Sequence, residues 1–315
     1  MECPTCNHSA RKFGFTNLGT QRFRCDACKK TFSEDKPLGA MKLEMDKAVS
    51  VLHHLLEGTS VRSTMRLTGV DKGTILALMI HVGENCQRML EAKIKDVCVD
   101  DVQADEIWSF VSCKEKTRAA KGYSDNKGDS YCFVGIERNT KLIVAWHLGK
   151  RSVEDTYAFA GKLKNATAGH YQLTTDGYTP YRTAIPETLG GRVSFAQLVK
   201  VYGLAGVEEQ RKYSPPSVIG MDYNPISGSP CFTEACTSHI ERSNLSLRMS
   251  SRRFTRLTSG FSKKWENHEA MLGLWFAFYN LCRKHMTLKT TPAVASGIED
   301  HVWTIRELIT ESAKF

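Results

Sequence analysis

Two short cysteine knuckles, Cys3-Pro-Thr-Cys6 and Cys25-Asp-Ala-Cys28, constrain the start of this 315-residue chain more tightly than anything after them. A CxxC turn aims two thiolates at one tetrahedral metal, and a second knuckle completes the four sulfur ligands of a closed structural zinc site. The eighteen residues between Cys6 and Cys25 fit the spacing of such sites. Between the knuckles Phe13, Phe15 and Phe23 offer a small apolar face, and Arg11, Lys12, Arg22, Arg24, Lys29 and Lys30 surround it with positive charge. So small a module buries too little surface to fold alone, and one bound Zn²⁺ would supply its folding energy. The expected unit is a zinc ribbon over residues 1–36. His8 is an alternative donor beside the first knuckle. A thioredoxin-like redox pair is the competing reading of a CxxC, and the lack of a surrounding βαβ pattern counts against it.

The remaining seven cysteines (Cys86, Cys98, Cys113, Cys132, Cys231, Cys236, Cys282) are scattered without ligand spacing. They read as free thiols of a reducing compartment rather than as a disulfide framework. Residues 1–40 are charged and knuckled, which argues against a secretory leader. The longest apolar run, residues 271–281, is about half a membrane span and is broken by Asn280. The expectation is a cytoplasmic protein with no membrane partner. A net charge of +9 favours a polyanionic partner, nucleic acid before small acidic ligands.

After a Pro37-Leu38-Gly39 linker, residues 42–96 read as helical. Met45, Val49, Leu52, Leu55 and Leu56 recur at three- and four-residue steps, and Gly58 ends the run. A short helix over residues 61–67, the turn Gly69-Val70-Asp71 and a helix from Lys72 complete a helix-turn-helix layout. Asp71 is its expected cap, and Lys72 and Thr74 fall in the first turn, where base contacts are made. Periodicity alone fits a plain three-helix bundle equally well; the adjacent basic ribbon favours the DNA-binding version. From residue 97 the period becomes extended. Strands are expected at 102–111, 131–137, 141–148, 171–175 and 195–201, and helices at 153–164, 180–189, 238–253 and 266–286. Residues 114–129 read as a charged turn and 203–235 as a long irregular loop.

The order of three strands, helix, strand, helix, strand, loop and helix is that of ribonuclease H-like nucleases and integrases. In such a fold Asp105 on the first strand, Asp176 at the end of the fourth and Glu241 on the helix after the loop would meet. Carboxylates in that arrangement suit two Mg²⁺ ions about 4 Å apart, which activate the attacking oxygen and stabilise the leaving one in phosphoryl transfer. Each acid has rivals: Asp100, Asp101 and Glu106 near Asp105, and Glu234 before Glu241. Glu106 is expected on the strand face opposite Asp105. Glu241 opens a basic stretch containing Arg242, Arg248, Arg252, Arg253 and Arg256, and Arg248 shares its helix face two turns on.

Asp105-Glu106-Ile107-Trp108, Thr175-Asp176-Gly177 and the run from Ser238-His239-Ile240-Glu241-Arg242 to Leu247-Arg248 resemble the DDE transposases of the insertion sequence 1 family. His268-Glu269-Ala270-Met271, residues 291–298 and His301-Val302-Trp303 are similar to the C-terminal region of that family. The resemblance covers nearly the whole chain. It implies a multidomain α/β protein: zinc ribbon (1–36), helix-turn-helix (42–96), ribonuclease H-like mixed-sheet catalytic domain (97–287) and helical tail (288–315). It implies an enzyme that binds the terminal inverted repeats of its element, then cleaves and joins DNA strands. Asp105, Asp176 and Glu241 would hold two Mg²⁺, with Mn²⁺ able to substitute, and Arg248 would be the basic residue that follows the glutamate. Lys72, Thr74, Arg242, Arg252 and Arg253 would contact DNA, both element ends and target. A homo-oligomer on DNA and association with the nucleoid follow from the same resemblance. The alternative is a non-catalytic DNA-binding protein, a domesticated or decayed copy.

Overall fold

The first cysteine knuckle precedes, and the second links β2 to β3 of, a three-stranded antiparallel sheet in the order β1 (Ala10–Phe15), β2 (Gln21–Cys25), β3 (Thr31–Ser33). The computed structural model describes residues 1–16, 21–33, 37–203, 218–255 and 259–315. Phe23 is buried and stacks on Phe32 at 6.0 Å between ring centres. Phe13 and Phe15 do not join it: they are 39% and 67% exposed. The cause is strand alternation, since Phe23 pairs with Lys12 and therefore shares its face, while Phe13 points the other way. The Arg22 and Arg24 guanidiniums lie over the Phe13 ring at 5.7 and 5.2 Å. The ribbon thus presents an outward aromatic and cationic face.

Three helices follow: α1 (Met45–Leu56), α2 (Val61–Thr68) and α3 (Lys72–Lys93). Ser60 caps α2 by accepting from the Ser63 N–H at 3.1 Å. Asp71 caps α3 by accepting from the Gly73 N–H at 2.6 Å, as the sequence predicts. Gly69 ends α2 in the left-handed region, with φ of 69°, which only a residue without Cβ adopts cheaply.

The larger sheet is built from β5 (Asp101–Val111), β6 (Gly128–Glu137), β7 (Ile143–Gly149), β9 (Tyr171–Thr175), β10 (Val193–Tyr202) and β11 (Val218–Ser227). Short β4 (Val97–Cys98) and β8 (Thr167–Ala168) pair with each other. The order across the sheet is β11-β10-β9-β5-β6-β7, with β5, β9 and β10 parallel and β6, β7 and β11 antiparallel to their neighbours. The helices are α4 (Glu115–Lys121), α5 (Val153–Ala166), α6 (Tyr181–Leu189), α7 (Ser238–Ser250), α8 (Trp265–Ala277), α9 (Pro292–Ala295) and α10 (Ile305–Ser312).

Three expectations are corrected. The charged stretch after β5 contains α4. Residues 218–227 of the expected loop form the edge strand β11, whose Gly220, Asn224 and Pro225 hide a strand signal and are tolerated at an edge. Residues 204–217 of that loop lie outside the described residues. The last long helix ends at Ala277 and widens into a π turn over Phe278–Cys282. There the buried Asn280 side chain bonds both the N–H and the C=O of Ile143, each at 3.0 Å. It thereby satisfies backbone groups of edge strand β7.

One apolar cluster runs from Leu38 through α1 and α3 into the sheet and on to α10. Its tightest seam is between α3 and α8. A Cβ on Gly83 would run into the Ala270 carbonyl, and one on Gly273 into the Gly83 carbonyl. In an exposed helix, Gly→Ala would stabilise by about 1 kcal/mol. Here both obstructing atoms are backbone, so Gly83→Ala is expected to lose about 1–3 kcal/mol instead, as overpacked cores do. Urea unfolding measures the sign, and a stabilised variant would mean that the two helices are not in contact.

Candidate functional site

Strand pairing assembles the acids. β5 runs parallel to β9 with Ala104 beside Thr175, so the next residues, Asp105 and Asp176, stand side by side at the middle of the sheet. Across β6, Asp105 pairs with Val134 and Glu106 with Phe133. Asp105 faces α7, where the Asn244 side-chain amide donates to its Oδ2 at 2.9 Å. Glu106 faces the α5–α6 side, where Arg151 pairs with its Oε2 at 3.1 Å. The expected opposition of these two side chains holds, yet it does not separate them from one another. One oxygen each of Asp105, Glu106 and Asp176 lie within 4.8 Å of one another, a group that could hold a metal ion.

Burial and mutual repulsion make this group costly without a cation. Burial first, then the Asp176 charge, pushes Asp105 from its ordinary 3.8 up to about 6; the Glu106 N–H and Asn244 oppose the rise, and the Glu241 charge adds to it. Burial and Asp176 likewise push Glu106 up to about 8. Its side chain is 2% exposed. The buried Tyr181 hydroxyl lies close enough to favour the Glu106 anion, yet neither it nor Oε1 meets a partner with good hydrogen-bond geometry among the described residues. An orphaned carboxylate oxygen beside two further acids is the donor set a hard divalent cation takes. Arg151 closes the group on the outside, with its guanidinium 4.3 Å from the centre of the Tyr178 ring.

A pH dependence follows. Asp105 and Glu106 bind their protons more tightly folded than unfolded, so the folded state carries the extra protons and stability falls as pH rises. The window runs from the ordinary 3.8 to about 6 for Asp105 and from 4.5 to about 8 for Glu106. In metal-free buffer, Asp105→Asn is expected to gain melting temperature relative to the wild type as pH goes from 5 to 8. Parallel melting curves at both pH values would contradict it.

Glu241 is not in that group. It lies in the first turn of α7, and its Oε1 is engaged by Lys200 and by the Thr237 hydroxyl, the latter at 2.8 Å. The helix that carries it is nonetheless tied to β5. Gln103 Oε1 accepts from the His239 and Ile240 N–H groups at 3.0 and 3.2 Å, tying the start of α7 to the strand of Asp105. Asn244, one turn beyond Glu241, then reaches Asp105. Arg248 donates to the Phe254 carbonyl at 3.1 Å, holding the chain that leaves α7.

The expected DNA contacts divide. Lys72, Arg242 and Arg252 are exposed, and Thr74 is half-buried. Arg253 is half-buried and leans inward. Its guanidinium donates to the Ser262 hydroxyl at 2.6 Å and to Met79 Sδ at 3.2 Å, and burial pushes its pKa down to about 10. Ser262 in turn meets His268 Nδ1, and His268 Nε2 meets Ser109, both at 2.9 Å. Burial pushes His268 down to about 3, so this network fastens the far end of β5 with a neutral ring. Arg256 lies outside the described residues. Asp101, a rival of Asp105, begins β5 and pairs with Arg138 at 3.0 Å. Gln103, Glu106, Asn244 and Arg151 are the residues that sequence reasoning did not assign to the site. The adjacency of Asp105 and Glu106, and an Asn one helical turn after Glu241, were the available signals.

At the other end of the chain, the sulfurs of Cys3, Cys6, Cys25 and Cys28 lie within 4.8 Å of one another. Cys3 Sγ is 3.6 Å from Cys28 Sγ, and Cys6 Sγ is 3.4 Å from Cys25 Sγ. The Thr5 N–H, foremost, draws Cys3 down to about 6, and the Cys28 N–H lowers Cys25. Backbone donors aimed at Cys3 and Cys25 favour the thiolate form a metal needs; at Cys6 the His8 N–H acts the same way, but the neighbouring Cys25 sulfur and burial outweigh it and push the thiol up to about 12. His8 is exposed, with Nδ1 2.7 Å from the Cys6 carbonyl. Among the described residues no helix is long and apolar enough to cross a membrane. The chain matches no protein-family model and no curated protein sequence.

Proposed function

We propose that the chain is a metal-dependent DNA transposase whose large sheet is a ribonuclease H-like catalytic domain. The observation that carries the reading is the convergence of Asp105, Glu106 and Asp176 at the centre of a mixed sheet. The order of strands supports it: three antiparallel neighbours, β7, β6 and β5, continue into the parallel β9 and β10, as the resemblance leads one to expect.

Asp105 and Asp176 would be the principal ligands of Mg²⁺, which when bound would polarise the phosphoryl oxygens and lower the pKa of an attacking water or hydroxyl. Glu106 backs the group from the α5–α6 face. Glu241 would be a further ligand once its carboxylate left Lys200, and Lys200 would then be a cation available to the DNA backbone. Asn244 on Oδ2 and the Glu106 N–H on Oδ1, at 2.9 and 2.8 Å, hold the Asp105 carboxylate in orientation. Arg151 keeps the Glu106 side chain aligned and screens the group from bulk water. The ribbon carries one structural Zn²⁺, and its Arg22, Arg24 and Phe13 face suits a DNA backbone.

The purified chain, incubated with DNA bearing the ends of its element, is expected to cleave and join strands with Mg²⁺ or Mn²⁺ and not with chelator. Binding without cleavage under all metal conditions would return the chain to the class of non-catalytic DNA-binding proteins.

A further inference from the structure

A groove of about 890 Å³ lies between the helix-turn-helix and the segment that follows α7. One wall is the start of α2 and the first turns of α3, with Arg62 and Lys72. The other wall carries Arg252, Lys263 and Lys264. All five cations are exposed. Among the described residues lining the groove the acid is Glu266, and it already pairs with Lys264 at 3.4 Å. Leu76, Ile80 and Met271 make an apolar floor.

The width of this groove is set by backbone contacts. The seam of Gly83 on Ala270 fixes α3 to α8. Gly58, in the turn between α1 and α2, packs against the Met249 and Ser250 carbonyls, where a Cβ would lie 3.3 and 3.2 Å away. The end of the Glu241 helix therefore abuts the helix-turn-helix directly.

We propose that this groove seats one sugar–phosphate strand of duplex DNA, bridging the recognition helix and the catalytic sheet of the same chain. The proposal rests on the reading of DNA as the substrate and deepens it by naming the path. Cations on facing walls suit a strand seated between them, because each phosphate presents two non-bridging oxygens, and an apolar floor suits deoxyribose. Lys72 is then a backbone contact shared with Lys263 rather than part of an isolated reading head. Contacts of this kind are independent of base sequence and release counterions.

The test uses the zinc-loaded full chain and a short duplex of arbitrary sequence, with affinity measured across a salt series. Lys263→Ala/Lys264→Ala is expected to reduce the slope of log K against log salt by about 2, near 0.9 for each lost phosphate contact. Lys263→Arg/Lys264→Arg should restore it. An unchanged slope in the alanine variant overturns the proposal and leaves the groove to an acidic protein segment. Hydrogen exchange on the wild-type chain gives a second reading that needs no variant: added duplex should protect residues 59–62 and 259–264, and unprotected amides there would also overturn it. Failure of this path is separable from failure of the catalytic reading. A chain that cleaves DNA with the alanine pair in place and an unaltered slope would sink only the groove, whereas normal groove binding with no metal-dependent cleavage would sink only the chemistry.

Discussion

Asp105→Asn and Asp176→Asn are each expected to lower metal-dependent strand cleavage at least about a hundredfold, because bound ions supply several kcal/mol of transition-state stabilisation and each ~1.4 kcal/mol is tenfold in rate. The amide keeps the shape of the carboxylate and removes the charged oxygen, so the loss is one of metal binding rather than of packing. Duplex affinity should survive, since the groove cations and the ribbon lie elsewhere. Asp101→Asn and Glu234→Gln are the controls. Asp101 is committed to Arg138, and Glu234 sits in a short 3₁₀ turn before α7. Cleavage assays on the four variants separate the group at Asp105 from acids that are merely close in sequence. Glu241→Gln should also lose cleavage, and retention of full activity by that variant would leave Glu241 as the partner of Lys200 alone.

Cys25→Ser is expected to unfold residues 1–33 and spare the rest of the chain. Zinc binding to such modules is worth about 10–16 kcal/mol, and that energy is folding energy. Among the described residues the ribbon has little else: Phe23 is its one buried ring, while the main apolar cluster begins at Leu38 and includes no described residue before it. Zinc content should fall from one per chain, and proteolysis should trim the N-terminus back to the first helix. Full zinc content in the variant would remove the assignment of the four cysteines as its ligands.

Elements whose cause is local were legible in the sequence. The knuckles, the Asp71 cap and the periodic face of α1 each depend on a few adjacent residues, and each is present. Asp105 and Asp176 were paired because a known element order sets the first strand beside the end of the fourth, and the register Ala104 with Thr175 brings them together. What stayed hidden depends on tertiary partners. Strand alternation correctly sends Glu106 to the other face, but it cannot report that Asp176 is near both faces. Arg253 looked like its neighbours in a basic run, and only the buried Ser262 and His268 explain its inward turn. β11 lacks a strand signal because its pairing with β10 supplies the stability that its own residues do not.

The most direct measurement is calorimetric titration of Mn²⁺ into the zinc-loaded chain, with Asp176→Asn and Asp101→Asn alongside. The account predicts saturable binding by the wild type and by Asp101→Asn, release of protons on binding at pH 6 as Asp105 and Glu106 ionise, and loss of the binding heat in Asp176→Asn. Equal Mn²⁺ binding by the wild type and Asp176→Asn, or none by either, would contradict it.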